Sequence, residues 1–569
     1  MQKFLFIILI FCSLQLRALD REAFTITKYD LDVRVEPEQQ RLGVRGKITL
    51  RNDSASAERN VTLQVSSSLN WSSITFEGKR VEYVTQPYVS DIDHTGALSE
   101  AIAVLPTAVE PKQSVELEIG YEGVIGQDTT RLTGIGVPAD QAKRADWDQI
   151  SRAFTAVRGV GYVAWYPIAT QAVSLTDGDA MPDAVARWKQ RESQSEFEAK
   201  FCISENGSQP NTIALMDSSE AELSGADAAG NSCTEFAFKS LGDVVPTFAV
   251  GEYGLQSKGN IDIHFLPEHR SGAQDYASAI GEVSPLITKW FGDHRAPGRG
   301  EGQTIDLAEL SAASFESGNT LLMPLAGGDT KLLLSAAQQL THLFFPSARA
   351  WIRDGLAGYA QARFIEEKEG RKAAIAYLDG HRKGLLESEQ ESAGKAEPLI
   401  SASDAFRVES KAIYVWWMLR ELVGESALES ALHNYKASED NDNQGAAYMQ
   451  KLIEAQAHKS LQWFFDDWVY HDRGLPDLRI ASIYSSALPS GGYMLTITVE
   501  NTGGAGAEVP VTVQMDSSEA SQKLLVAGKS KATVRIEVAS PAVKVTVNDG
   551  SVPESDMSNN EMKAEQFSH

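Results

Sequence analysis

The residues Gln338-Gln339-Leu340-Thr341-His342 lie in a run of helical period, and Trp351-Ile352-Arg353-Asp354-Gly355-Leu356-Ala357-Gly358-Tyr359 opens nine residues beyond His342. On a helix, positions four apart share a face, so Gln338 and His342 point the same way. Where this frame reads His-Glu-x-x-His, two imidazoles converge on one zinc ion and the intervening carboxylate takes a proton from the zinc-bound water. Here neutral amides stand at the first His and at the Glu. An amide is a weak zinc ligand beside imidazole or carboxylate, and it accepts no proton at neutral pH. His342 and Asp354 are then the remaining donors, where a catalytic zinc takes three from the protein.

The surroundings carry a resemblance. Ala337-x-x-Leu340-x-His342-x-x-Phe345, followed by Trp351-Ile352-x-Asp354-Gly355-x-Ala357-x-Tyr359, resembles the aminopeptidase N family of gluzincin zinc metallopeptidases. That family follows its second His with W-L-x-E-G-x-A-x-Y. The resemblance places Gln338 on the first His ligand, Gln339 on the general-base Glu, His342 on the second His and Asp354 on the third-ligand Glu. It continues in Glu409-Ser410-Lys411-Ala412 with Met418-Leu419 and Gly424, similar to the family's Y-E-K-G-A helix, whose oxyanion-stabilising Tyr falls on Glu409. Phe315-Glu316-Ser317-Gly318-Asn319 stands where the family has G-A-M-E-N, so the resemblance implies that Glu316 holds a substrate's amino end. Phe464-Phe465-Asp466-Asp467-Trp468 and Gly474-Leu475-Pro476-Asp477 resemble the segment that closes the family's helical domain.

Set against that pattern, three of the four zinc-and-base positions are altered, and the eleven residues between His342 and Asp354 are fewer than the family has. Asp354 also retreats by roughly 1.5 Å relative to Glu. Loss of the general base removes roughly 10²–10⁴-fold in rate, and loss of an oxyanion donor roughly a further 10²–10³-fold. Each residue also has an ordinary reading. His342 can be a hydrogen-bonded core residue, Asp354 a first-turn acid favoured by the helix dipole, and Glu409 a solvated charge at a helix start.

The elements that must position these residues divide into three rhythms. From Phe24 to about Phe265 apolar residues alternate, as in Tyr29, Leu31, Val33 and Val35, which argues for half-buried antiparallel strands. The Tyr162–Pro167 segment adds aromatic core. After Pro267 the period becomes helical over Tyr276–Phe291, Lys331–Phe345, Gly355–Glu369, Lys372–Leu386, Lys411–Val423, Ala446–Ala455 and Leu461–Tyr470, with short strands near Thr304–Leu310 and Leu321–Pro324. Trp416, Trp417 and Met418 read as helix core. The tail alternates again and predicts a small immunoglobulin-like sandwich. Asn548-Asp549-Gly550 and the Glu554–Asn560 end lack the ligand spacing of a calcium loop and read as a solvated turn.

The chain has 569 residues, with 52 basic and 77 acidic residues for a net charge of −25, which disfavours nucleic-acid phosphates and anionic membrane surfaces. Lys3, the apolar run Phe4–Leu14 and Leu16-Arg17-Ala18 suit an export signal peptide cleaved after Ala18, which leaves no membrane span in the mature chain. Cys202 and Cys233 remain beyond it, and one disulfide is expected in an exported protein.

The sequence therefore predicts an α+β multidomain protein. Its parts are a signal peptide (residues 1–18), an N-terminal β-sandwich (19–266), a thermolysin-like, mostly helical domain (267–475) and a C-terminal β-sandwich (476–569). The expected role is that of a periplasmic or secreted homologue of the aminopeptidases. It binds a peptide or protein partner through a cleft lined by Glu316, with zinc weak or absent. The alternative is a zinc aminopeptidase whose metal site, His342 and Asp354 with a doubtful Gln338, is atypical and weakened.

Overall fold

The structure, a computed structural model, describes residues 19–567 apart from residues 153, 178–179, 205–211, 218, 223–224, 227–230, 243, 260, 295–301, 307–313, 319, 326–328, 348, 392–397, 403–404, 437–438 and 441–446. The expected signal peptide and Asn319 lie outside the described residues. The chain forms two compact units: the first runs to Met216 and resumes over Ala221–Val250, and the second holds Asp217–Glu220 and everything from Gly251 onward.

In the first unit the strand Phe24–Glu36 buries Tyr29, Leu31, Val33 and Val35 and exposes Asp30, Asp32 and Arg34, as period two requires. It lies inside an eight-stranded sheet, antiparallel to Arg41–Asn52 and parallel to Glu196–Ile203. The parallel pairing departs from the antiparallel expectation, because alternation reports which face is buried and not which way a neighbour runs. Cys202 and Cys233 stand directly opposite each other on paired strands and are joined by a disulfide. The Tyr162–Pro167 segment is not a strand; its Trp165 and Tyr166 are fully buried, edge-on to Phe197. Three helices, Thr130–Gly134, Ala139–Ala145 and Ala180–Glu192, fall in this region without having been anticipated.

The second unit begins earlier than the sequence rhythm implied. Gly254–Lys258 and Ile261–Phe265, expected to close the N-terminal sandwich, instead start a five-stranded sheet that continues through Gly302–Asp306, Thr320–Met323 and the antiparallel edge strand Phe315–Ser317. The division between the two compact units falls after residue 250. Ile261–Phe265, parallel to Gly302–Asp306 and buried at four of its five positions, lacks the polar half of the alternation.

All seven expected helices are present, most of them starting earlier than the apolar period. They span Arg270–Phe291, Asp329–Phe344, Ala350–Glu369, Arg371–Glu391, Ala405–Val423, Tyr448–Ala457 and Gln462–Phe465, the last widening into a π turn over Asp466–Tyr470. Glu425–His433 is a further helix. Gly370, at φ +87°, ends the Ala350–Glu369 helix in a conformation that a side chain would strain.

The close crossing of Ala350–Glu369 with Ala405–Val423 matters most for the site. A Cβ on Gly355 would come within 2.5 Å of the Ala412 methyl and 3.0 Å of the Trp416 ring. Trp351 stacks on Trp416 at 5.2 Å between centroids, and Trp416 Nε1 donates to the Trp351 carbonyl. Trp416, Trp417 and Met418 are core, as their spacing suggested.

The C-terminal strands form a three-stranded sheet (Leu478–Ala487, Tyr493–Asn501, Ser530–Val538) and a four-stranded one (Glu519–Val526, Ala507–Gln514, Lys544–Val547, Glu561–Lys563). They belong to the same compact unit as the helices, so no boundary appears at residue 475. Trp468 Nε1 donates to the Gly506 carbonyl, and Arg371 joins Glu421 to Asp549. The solvated-turn reading of Glu554–Asn560 fails at both ends, since Glu554 and Asn560 are buried. No described helix is long and apolar enough to cross a membrane.

Candidate functional site

Three segments of the second unit bring the sequence-chosen residues together. The edge strand Phe315–Ser317 supplies Glu316, the Asp329–Phe344 helix supplies Gln338, Gln339 and His342, and the Ala350–Glu369 helix supplies Asp354. His342 Nδ1 lies 2.6 Å from Glu316 Oε2, and His342 Nε2 lies 3.5 Å from Asp354 Oδ1. The imidazole is thus held between two carboxylates. The shortened link between His342 and Asp354 still brings both residues to one place, because the Phe344–Ala350 connection is brief and the Gly355 crossing is tight.

Asp354 is not a first-turn acid, since the helix begins at Ala350 with no acid in its first turn. Both of its oxygens accept from Arg353, Oδ1 from Nε at 2.9 Å and Oδ2 from Nη2 at 3.1 Å. Burial would lower the His342 pKa, but the Glu316 carboxylate, its hydrogen bond and then Asp354 outweigh burial and raise it above the ordinary value.

Glu409 lies in the second turn of the Ala405–Val423 helix and is exposed, in keeping with a solvated charge. Partial loss of solvent around its carboxyl, followed by the charges of Asp354 and Glu316, raises its pKa against the opposing pull of His342. These influences place it beside the same cluster. As a carboxylate it repels an oxyanion where a tyrosine hydroxyl would donate to one.

Gln338 and Gln339 part company. Gln339 is buried at 3% exposure, while Gln338 lines a cavity of about 220 Å³ with Ser314, Glu316, Leu321 and Ser335. Gln361 Nε2 donates to Gln338 Oε1 at 3.4 Å and to the Leu334 carbonyl at 3.1 Å, and Tyr377 Oη donates to Gln361 Oε1 at 2.7 Å. Burial raises the Tyr377 pKa, with the Glu409 charge adding to it, so the phenol stays a donor.

Arg353, Gln361 and Tyr377 were not anticipated. Arg353 had a signal, being the cation next to Asp354, and so had Gln361, two helical turns beyond Asp354 on its face. Tyr377 comes from another helix and had none.

The donor set does not fit a catalytic zinc. Zinc bonds of about 2.0–2.2 Å put two tetrahedral ligands roughly 3.4 Å apart, which His342 Nε2 and Asp354 Oδ1 satisfy. Among the described residues no third donor joins them. The first-His position holds an amide already bonded to Gln361, and no group of three His, Cys, Asp or Glu side chains suited to a metal occurs among the described residues. Arg353 also pairs with Asp354, the carboxylate on the Nε2 side of His342.

No family model matches the chain, and no curated protein is detectably similar to it in sequence. Solved structures are similar in fold. A variant of an M1 zinc metallopeptidase from Deinococcus radiodurans is 14% identical, over 80% of this chain and 96% of that one, with a TM-score of 0.50. Aminopeptidase A of Legionella pneumophila, solved with aspartic acid, is 12% identical over 94% of this chain with a TM-score of 0.59, and the match spans 59% of that protein. At such identities it is the fold that is shared, and the chain has the fold of the M1 zinc metallopeptidases.

Proposed function

We propose that this chain is an exported, non-catalytic binding module built on the M1 metallopeptidase fold, which takes a peptide or protein partner at the cavity beside Glu316. The observation that carries the reading is the state of the zinc-and-base positions. Imidazole His342 is held between Glu316 and Asp354, Asp354 is paired with Arg353, and Gln338 is bonded to Gln361. Among the described residues, side chains engaged with one another in this way leave no three-ligand metal set, and an amide stands at the base position. What stays open is the cavity, and about 220 Å³ is below the roughly 300–1,000 Å³ of whole-ligand pockets. It suits one side chain or one end of a peptide, with Glu316 as the acceptor for a cationic group.

Calorimetry with short peptides carrying free or acetylated amino ends tests this reading. Binding of the free-amine peptides is expected, and Ser335→Trp, which fills the cavity without removing a charge, is expected to remove it. Unchanged binding by Ser335→Trp would show that this cavity is not the site.

One observation favours a second reading, a weakened zinc aminopeptidase. His342 Nε2 is buried without a hydrogen bond among the described residues and stands at ligand-to-ligand distance from Asp354. That reading needs a third donor beyond the residues that line the site.

A further inference from the structure

The C-terminal sandwich has a corner where buried oxygens lack hydrogens. After residue 429, the buried side-chain polar atoms without a hydrogen-bond partner among the described residues are Asp477 Oδ1, Asn559 Oδ1 and Asn560 Oδ1. All three are acceptors. The chain draws the Asp477 segment and Asn560 together around Glu554, and Asn559 adjoins Asn560 in sequence. Pro476 and Leu478, on either side of Asp477, are bonded to Ser555 and Glu554: Ser555 N donates to the Pro476 carbonyl at 3.1 Å, and Leu478 N donates to Glu554 Oε2 at 2.8 Å. From the other direction Asn560 Nδ2 donates to Glu554 Oε1 at 2.7 Å, which fixes the amide so that its Oδ1 is the unpaired atom. Asn560 is 4% exposed and Glu554 is fully buried.

The corner is also negative. Neither Asp477 nor Glu554 forms an ion pair among the described residues, although two cations lie nearby. Arg382 Nη1 reaches the Glu554 carbonyl at 3.4 Å and pairs with Asp379, and Lys529 Nζ donates to the Thr502 carbonyl. Thr502 Oγ1 donates to Asp477 Oδ2, which leaves Oδ1 unmatched. One buried water offers two hydrogens to three acceptors and leaves the charge standing.

We infer that this corner is a divalent-cation site, with Asp477, Asn559 and Asn560 giving side-chain oxygens to calcium. A carboxylate with amide oxygens is the hard-donor set that calcium accepts, and its flexible coordination tolerates ligands from separate segments better than the strict octahedron of magnesium. The ion fastens the end of the chain to the segment entering the sandwich at Asp477, so calcium acts as a structural clamp. The site has no part in the Glu316 cavity.

The test is calorimetry and thermal unfolding of the full chain, stripped with a chelator and titrated with calcium chloride. Calcium modules of the extracellular class have Kd of about 10⁻⁴–10⁻³ M, so about 5 mM calcium on a site of about 0.1 mM multiplies the folded-to-unfolded ratio roughly fifty-fold. Magnesium at the same concentration is expected to do much less. Asp477→Ala should lose both binding heat and stabilisation, and Asn559→Ala, at a less buried position, should weaken both if Asp477→Ala does not fold. Absence of any calcium heat or unfolding shift up to about 5 mM would overturn the site and leave ordered water as the partner of these oxygens. So would Asn559→Ala binding calcium like the parent chain.

Discussion

Replacing Glu316 with Gln removes one of the two carboxylates that hold His342 while keeping its shape and one acceptor oxygen. The 2.6 Å contact joins side chains that are 27% and 14% exposed. A hydrogen bond to a charged group contributes about 1.5–3 kcal/mol, and the partial exposure sets this one near the lower end, about 1.5 kcal/mol. The His342 pKa is raised in the folded protein, so the contribution is complete below the ordinary value of about 6.5 and fades as pH rises through the folded value. For a unit of this size about 1 kcal/mol shifts the melting temperature by roughly 2 °C. Glu316→Gln should therefore lower the melting of the second unit by about 3 °C at pH 6, and by less at pH 9, since the contribution fades as pH rises. Scanning calorimetry at the two pH values reads the difference, and the His342 ring signal in NMR should titrate at lower pH in the variant. A loss equal at both pH values, or greatest at pH 9, would refute the placement of a protonated His342 against Glu316.

Three other outcomes follow from the same geometry. Gly355→Ala drives a methyl to 2.5 Å from that of Ala412 and is expected to destabilise the second unit by about 1–3 kcal/mol, seen as earlier urea unfolding; a neutral effect would mean that the helices separate freely. Cys202→Ser opens a bridge with a sequence separation of 31, so the first unit should lose about 3–4 kcal/mol by the chain-entropy argument, and unreduced denatured parent protein should show no free thiol on labelling. The double change Gln338→His with Asp354→Glu restores donors on the His342 face and should create zinc binding in calorimetry, since positions 338 and 342 share a face; a folded variant that binds none would show that Arg353 or the Gln361 bond prevents the metal set from forming.

Much of this could be read from residue types alone, and the misses have physical causes. The helical period gave both helices of the site, because it is a local signal, whereas the meeting of His342 with Asp354 was implied only by the family resemblance. Strand direction at Glu196–Ile203 and the boundary near residue 250 were illegible: pairing partners lie far apart in sequence, and buried parallel strands resemble any apolar run. The Arg353 clasp on Asp354 needed side-chain directions, since neighbouring residues on a helix do not ordinarily face each other. Glu554 reads as solvated because its neighbours are polar, whereas its carboxylate is enclosed by donors from Asn548, Asn560 and Leu478. Nothing in a linear pattern reports such closure.

Zinc content, measured by mass spectrometry on the purified mature chain at neutral pH alongside hydrolysis of aminoacyl amides, bears most directly on the claim that the inherited site no longer does chemistry. Zinc well below one per chain, with hydrolysis no faster than in a His342→Ala control, is the expected result. One zinc per chain, with hydrolysis abolished by a chelator and by His342→Ala, would contradict it.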